Sequence, residues 1–167
     1  MEHTSTQLKE LLVPVDGTQA SLDAVALACA LARRNKGKVY VVYVIEVART
    51  LPLDADLVPE SNKGEDILSR AEQVADSLDF EVEGELLQAR EAGHAVVDEA
   101  IERGVDGIVL GVEYMKAGGA EAAFTWERGE KPRPLRGDLK LGPVAQHVLL
   151  HSPCEVLLIR KGVRQEK

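Results

Sequence analysis

Cysteine is scarce in this chain: 167 residues contain two, Cys29 and Cys154. Neither has a CxxC partner, so metal binding by paired thiolates and redox chemistry have nothing to build on. Small buried side chains in a reducing compartment account for both. Excess positive charge is missing as well. The formal net charge of −8 argues against nonspecific nucleic-acid binding, which needs a basic face. A long apolar run is also absent. The longest uninterrupted one is "AVALACALA" (24–32), too short to cross a bilayer. The opening "MEHTSTQLKE" lacks the apolar core of a signal peptide. These absences lead us to expect a cytoplasmic protein with neither nucleic acid nor membrane as partner.

What is present is the make-up of an ordinary globular chain, 45% apolar and 29% charged, long enough to bury a core and short enough for one domain, 1–167. "ELLVPV" (10–15) reads as a buried strand ended by Asp16-Gly17-Thr18. Residues 19–34 are alanine-rich with Leu22, Val25, Cys29 and Ala32 on one helical face. "KVYVVYVIEV" (38–47) is a continuous β-branched run, as expected of a strand buried on both faces. After a polar, proline-containing stretch (48–64), residues 65–78 return to helical spacing at Ile67, Ala71, Val74 and Leu78. "FEVEGELLQA" (80–89) alternates like a strand nearer an edge, and Gly93 leads into a helix (94–104) stopped by Gly104. "GIVLGV" (107–112), a helix over 143–151 and "EVLLIR" (155–160) complete the series. Strands alternating with helices predict an open five-stranded parallel α/β sheet with helices on both faces. The thirty residues between Gly111 and Gly142 break the rhythm. They far exceed an ordinary connection in such a fold, and we read about 113–138 as an insertion.

Ligands of open parallel sheets bind outside the carboxyl ends of the strands, where the strand order reverses. The chain delivers there Pro14, Val15 and Asp16 with the following Gly17 and Thr18, then Val44 to Val47, then Gly111. The start of the last helix, at Gly142 and Val144, faces the same crevice, and free N–H groups at a helix start suit an anion. Known catalytic and phosphate motifs are not found. GxGxxG does not follow the first strand, and GxxxxGK[ST] and GxSxG are absent. His147 and His151 stand four apart on one helix, but no third ligand is spaced with them and "HVLLH" lacks the glutamate of HExxH. A structural role is the expectation for this pair, with no metal site and no catalytic residues.

Taken together, "LLVPVDGTQASLDAVALACALA", "VYVVYVIE", "GVDGIVLGV" and "LGPVAQHVLLHSPCEVLLIR" resemble a universal stress protein domain over nearly the whole chain outside the insertion. The resemblance implies strand order 3-2-1-4-5, a dimer, and a role in stress resistance or signalling rather than catalysis. Some members bind ATP or AMP and carry Gly-x2-Gly-x9-Gly-(Ser/Thr) after the fourth strand. In those, an aspartate ending the first strand and a valine ending the second hold the adenosine end. Asp16 and Val44 match that aspartate and valine, and Gly111 and Gly142 match the first and last glycines. The second glycine falls on Tyr114 and the Ser/Thr on Pro143, and Gly111 and Gly142 stand farther apart than the pattern allows.

Pro143 suits the first turn of a helix, where its preset φ fits and its missing N–H has no helical partner. A phosphate resting there loses one N–H and one hydroxyl donor. At about 1.5–3 kcal/mol for each bond to a charged group, the loss is roughly 10²- to 10⁴-fold in affinity. The N–H groups of Val144 and Ala145 remain. Asp16 has two readings, ligand contact or a plain turn-and-cap residue. Within the insertion, Arg133 and Arg136 are candidate replacement phosphate ligands, a solvated loop being the other reading. The function expected is therefore a non-catalytic stress-response or signalling domain with weak or altered binding of AMP or another adenosine compound. It would act as a homodimer through residues 155–160 and contact a protein partner. The alternative is an ATP-binding member with slow hydrolysis whose insertion rebuilds the phosphate site.

Overall fold

The computed structural model describes residues 7–113 and 141–160. Their elements follow the order β1 (Glu10–Pro14), α1 (Gln19–Arg34), β2 (Lys38–Glu46), α2 (Val58–Ser77), β3 (Glu83–Ala89), α3 (Ala92–Arg103), β4 (Gly107–Gly111), α4 (Pro143–His151) and β5 (Glu155–Ile159). The five strands form one sheet in the order β3-β2-β1-β4-β5, with every neighbouring pair parallel. The expected fold class and strand order are both present.

Alternation along the central strands explains the layers. Leu11 and Val13 of β1, Val39 and Val41 of β2 and Val109 of β4 point to one face, where they pack with α1 and α2. Leu12, Tyr40, Val42, Ile108 and Leu110 point to the other, where Val96, Val97 and Ala100 of α3 and Ala145 and Val148 of α4 cover them. A strand with apolar residues on both sides cannot face water on either, so helices are required above and below. On α1, Leu22, Val25, Cys29 and Ala32 are all buried, as their spacing predicts. β5 forms one edge, and its Leu158 is 40% exposed.

Three elements start elsewhere than the sequence reading placed them. β3 begins at Glu83 rather than residue 80 and α3 at Ala92 rather than 94. The larger difference is α2, which begins at Val58, within the stretch read as a loop. Pro59 occupies its first turn, where proline is tolerated. Gly64 lies inside the helix because any Cβ there would run into the side chains of Tyr43 and Leu86. Both residues read as breakers in isolation, and packing on the sheet overrides them.

Candidate functional site

β1 and β4 are neighbours, yet their following helices, α1 and α4, cover opposite faces of the sheet. The chain therefore parts at the carboxyl ends of these strands and leaves a crevice. A cavity of about 500 Å³ lies there, within the size range of small-molecule sites. Pro14, Val15, Asp16, Val44, Gly111, Gly142 and Val144 all line it, so these seven residues reach one cleft.

Their local chemistry separates them. Asp16 is exposed, and its Oδ1 accepts hydrogen bonds from the Thr18 N–H at 3.0 Å and the Thr18 hydroxyl at 2.6 Å. The helix cap itself is Thr18, whose Oγ1 accepts from the Ser21 N–H at 3.2 Å. Asp16 thus braces the turn that leads into α1 without capping the helix, and its braces use only one carboxylate oxygen. Gly111 is required by packing: a Cβ there would collide with the Ala20 carbonyl in α1. Gly142 has no such reason. A Cβ on it would meet nothing within 4 Å, and its φ of −63° is open to any residue.

At the start of α4, Pro143 takes the first turn and the Gln146 N–H bonds back to the Gly142 carbonyl at 3.0 Å. The Val144 and Ala145 N–H groups come before that first helical bond, as orphan donors at a helix start do. The walls also hold Glu46, from the 44–47 stretch, and residues that the sequence reading did not single out: Tyr43, Glu113, and from α3 Ala92 and Val96. Glu46 Oε1 accepts from the Ala92 N–H at 3.3 Å, which sets a carboxylate at the positive end of α3. The signal for α3 was its place just after an interior strand's neighbour, because every such helix starts at the edge that carries the crevice. Among the described residues, the cleft walls carry the carboxylates of Asp16, Glu46 and Glu113 and no lysine or arginine. Tyr114, Arg133 and Arg136 lie outside the described residues.

The cysteines and histidines stand apart from this cleft. Burial pushes the Cys29 thiol up to about 11, against the opposing pull of Arg33, so it stays protonated and inert. His147 and His151 are joined by His94 from α3, which the linear spacing could not reveal. Among the described residues, no group of three or more His, Cys, Asp or Glu is arranged to hold a metal ion. No described helix is long and apolar enough to cross a membrane.

A doubly wound parallel sheet with a crevice at its switch point defines a class of ligand-binding α/β proteins. Comparison narrows the class to one family. The model of the universal stress protein family matches residues 7–160, and the chain belongs to that family. A universal stress protein of Methanocaldococcus jannaschii is 26% identical over 163 residues, covering 94% of this chain and 85% of the relative. Among solved structures, a universal stress protein from Archaeoglobus fulgidus superposes with a TM-score of 0.65 at 22% identity, covering 89% of this chain and 91% of that one. The universal stress protein from Archaeoglobus fulgidus in complex with dAMP gives 0.64 at 20% identity, covering 91% and 98%.

Proposed function

We propose that the cleft binds an adenine nucleotide through its adenosine end and contributes little to holding phosphates. The protein would act as a non-catalytic stress-response or signalling domain. The observation that carries this reading is the charge of the cleft: Asp16, Glu46 and Glu113 on the described walls with no lysine or arginine among them, beside a helix start whose first residue is Pro143. Carboxylates repel each added phosphate, whereas they accept hydrogen bonds from ribose hydroxyls or an adenine amine. The complex of the Archaeoglobus fulgidus protein with dAMP supports a one-phosphate ligand. Asp16 is the main adenosine contact in this reading, Val44 packs against the base, and Gly142 and Val144 border the remaining phosphate.

The reading takes residues 1–167 as one domain with 113–138 inserted, working in the cytoplasm, where two unpaired cysteines, Cys29 and Cys154, are at home. It pairs β5 with β5 of a second copy, because an exposed parallel-sheet edge carrying Leu158, 40% exposed, is an aggregation hazard unless covered. Calorimetric titration with AMP tests the site: wild type should bind, and Asp16→Ala should lose about tenfold or more, on the order of one charged hydrogen bond. Equal binding by both proteins would remove Asp16 from the site.

A further inference from the structure

Three imidazoles form a row where α3 meets α4. The ring centroids of His94 and His147 are 3.9 Å apart at an interplanar angle of 32°. Those of His147 and His151 are 4.3 Å apart at 37°. The row sits in a tight helix contact, because a Cβ on Gly93 would come within 2.8 Å of the His147 Cβ. α4 therefore cannot slide along α3 without moving the middle ring. The rings lie side by side with no metal-holding arrangement, so what they can respond to directly is the proton.

We propose that the His94–His147–His151 row is a proton-sensitive clasp between α3 and α4, closed when the middle ring is neutral and loosened when it charges. His94 Nδ1 lies 2.6 Å from Glu91 Oε2, and Arg49 approaches the other Glu91 oxygen at 4.0 Å. The groups acting on His147 are His94, Glu91 and Asp98 from α3 and its neighbours and His151 from α4. Burial first, and then the two flanking histidines, hold His147 below the ordinary histidine range, against the weaker pull of Glu91 and Asp98.

The sign follows from that direction. A histidine whose folded value is lowered takes its proton more readily when the contact is open. The contact is therefore at full strength above the ordinary value, about 6.5, and weakens as pH falls through it toward the lower folded value. Both helices carry the change to the cleft. Ala92 and Val96, which flank His94 on α3, line the cavity, as do Gly142, Pro143, Val144 and Ala145, the turn of α4 just before His147. Loosening the clasp moves that wall. This last link rests on the adenine-nucleotide reading of the cleft; the clasp itself does not.

Amide hydrogen-exchange protection, corrected for the intrinsic pH dependence of exchange, tests the clasp on the full chain. Between about pH 8 and pH 5.5, α4 in the wild type should lose protection on the order of tenfold relative to α1. His147→Phe keeps a ring in the row but cannot take a proton, and should abolish most of that loss. His94→Gln, at a side chain 58% exposed, is the milder variant should the phenylalanine fail to fold, and it too should blunt the loss. Protection of α4 that does not change with pH in the wild type would overturn the proposal. So would a pH response left intact in whichever of the two variants folds. AMP titrated at the same two pH values should bind severalfold more weakly at the lower one, in the wild type only. Absence of AMP binding at both would sink the nucleotide reading and leave the exchange result to decide the clasp.

Discussion

The Asp16 carboxylate and the Thr18 side chain are locked together at the mouth of the cleft, Oδ1 accepting from both the N–H and the hydroxyl of Thr18 at 3.0 and 2.6 Å. In the proposed reading this one residue has two separable duties. Asp16→Ala should cost about 1 kcal/mol of stability through the lost turn bonds and also weaken adenosine ligands. Asp16→Asn keeps an acceptor toward Thr18 and should hold the stability while still weakening the ligand, since a neutral acceptor is poorer than a carboxylate. Chemical denaturation alongside AMP titration separates the two effects. If alanine and asparagine lose stability equally, the Thr18 bonds are not what Asp16 contributes to the fold.

The two glycines of the cleft should fail in opposite ways. Gly111→Ala drives a methyl into the Ala20 carbonyl, an overpacking cost of about 1–3 kcal/mol or more. Gly142→Ala meets nothing and changes only a helix cap, about 1 kcal/mol or less. It does put a methyl into the cleft, so AMP affinity should fall while the fold holds. Thermal denaturation of the two variants should rank them clearly, with Gly111→Ala the less stable. The reverse ranking would show that the β4–α1 contact yields more easily than its geometry implies.

These contrasts also mark how far the sequence could be read. The β-branched run of 38–47 and the alanine-rich face of α1 carry their own periodicity, so the parallel sheet was legible from the residues, while its strand order came only from the resemblance to the family. The crevice residues were legible because the parallel sheet dictates where its ligands sit. The start of α2 was not, since Pro59 and Gly64 behave as breakers until the helix is packed on Tyr43 and Leu86. Nor was the third histidine. His94 and His147 belong to helices separated by a strand and the 113–138 segment, and only the packing of α3 on α4 brings their rings to 3.9 Å.

The cysteines should differ in reactivity. With its thiol pushed up to about 11 by burial, Cys29 carries almost no thiolate at pH values near 8 and is screened from reagents as well. Cys154 is only half-buried, with its sulfur 3.4 Å from the Ser152 hydroxyl. Maleimide labelling of the native protein followed by peptide mass analysis should modify Cys154 first and Cys29 only on unfolding. Rapid labelling of Cys29 would mean that α1 opens locally far more often than its packing suggests.

For assembly, the expectation is a two-fold dimer closed through β5. Leu158→Lys places a charge on that edge and should shift the mass in solution toward monomer, or give insoluble protein. Light scattering on the wild type at tens of micromolar is the prior check, and a monomer there would rule out β5 pairing as the resting state.

The central claim is that the cleft recognises adenosine and gains little from phosphate. Calorimetric titration of adenosine, AMP and ATP, the last with Mg²⁺, measures it directly through the ratio of affinities. With Asp16, Glu46 and Glu113 on the walls and Pro143 at the start of α4, the three ligands should bind within about tenfold of one another. Pro143→Ser should then raise the preference for ATP by returning an N–H and a hydroxyl. A wild-type preference for ATP of a hundredfold or more, roughly what two charged hydrogen bonds supply, would contradict the account and point to Arg133 and Arg136 of the insertion as phosphate ligands.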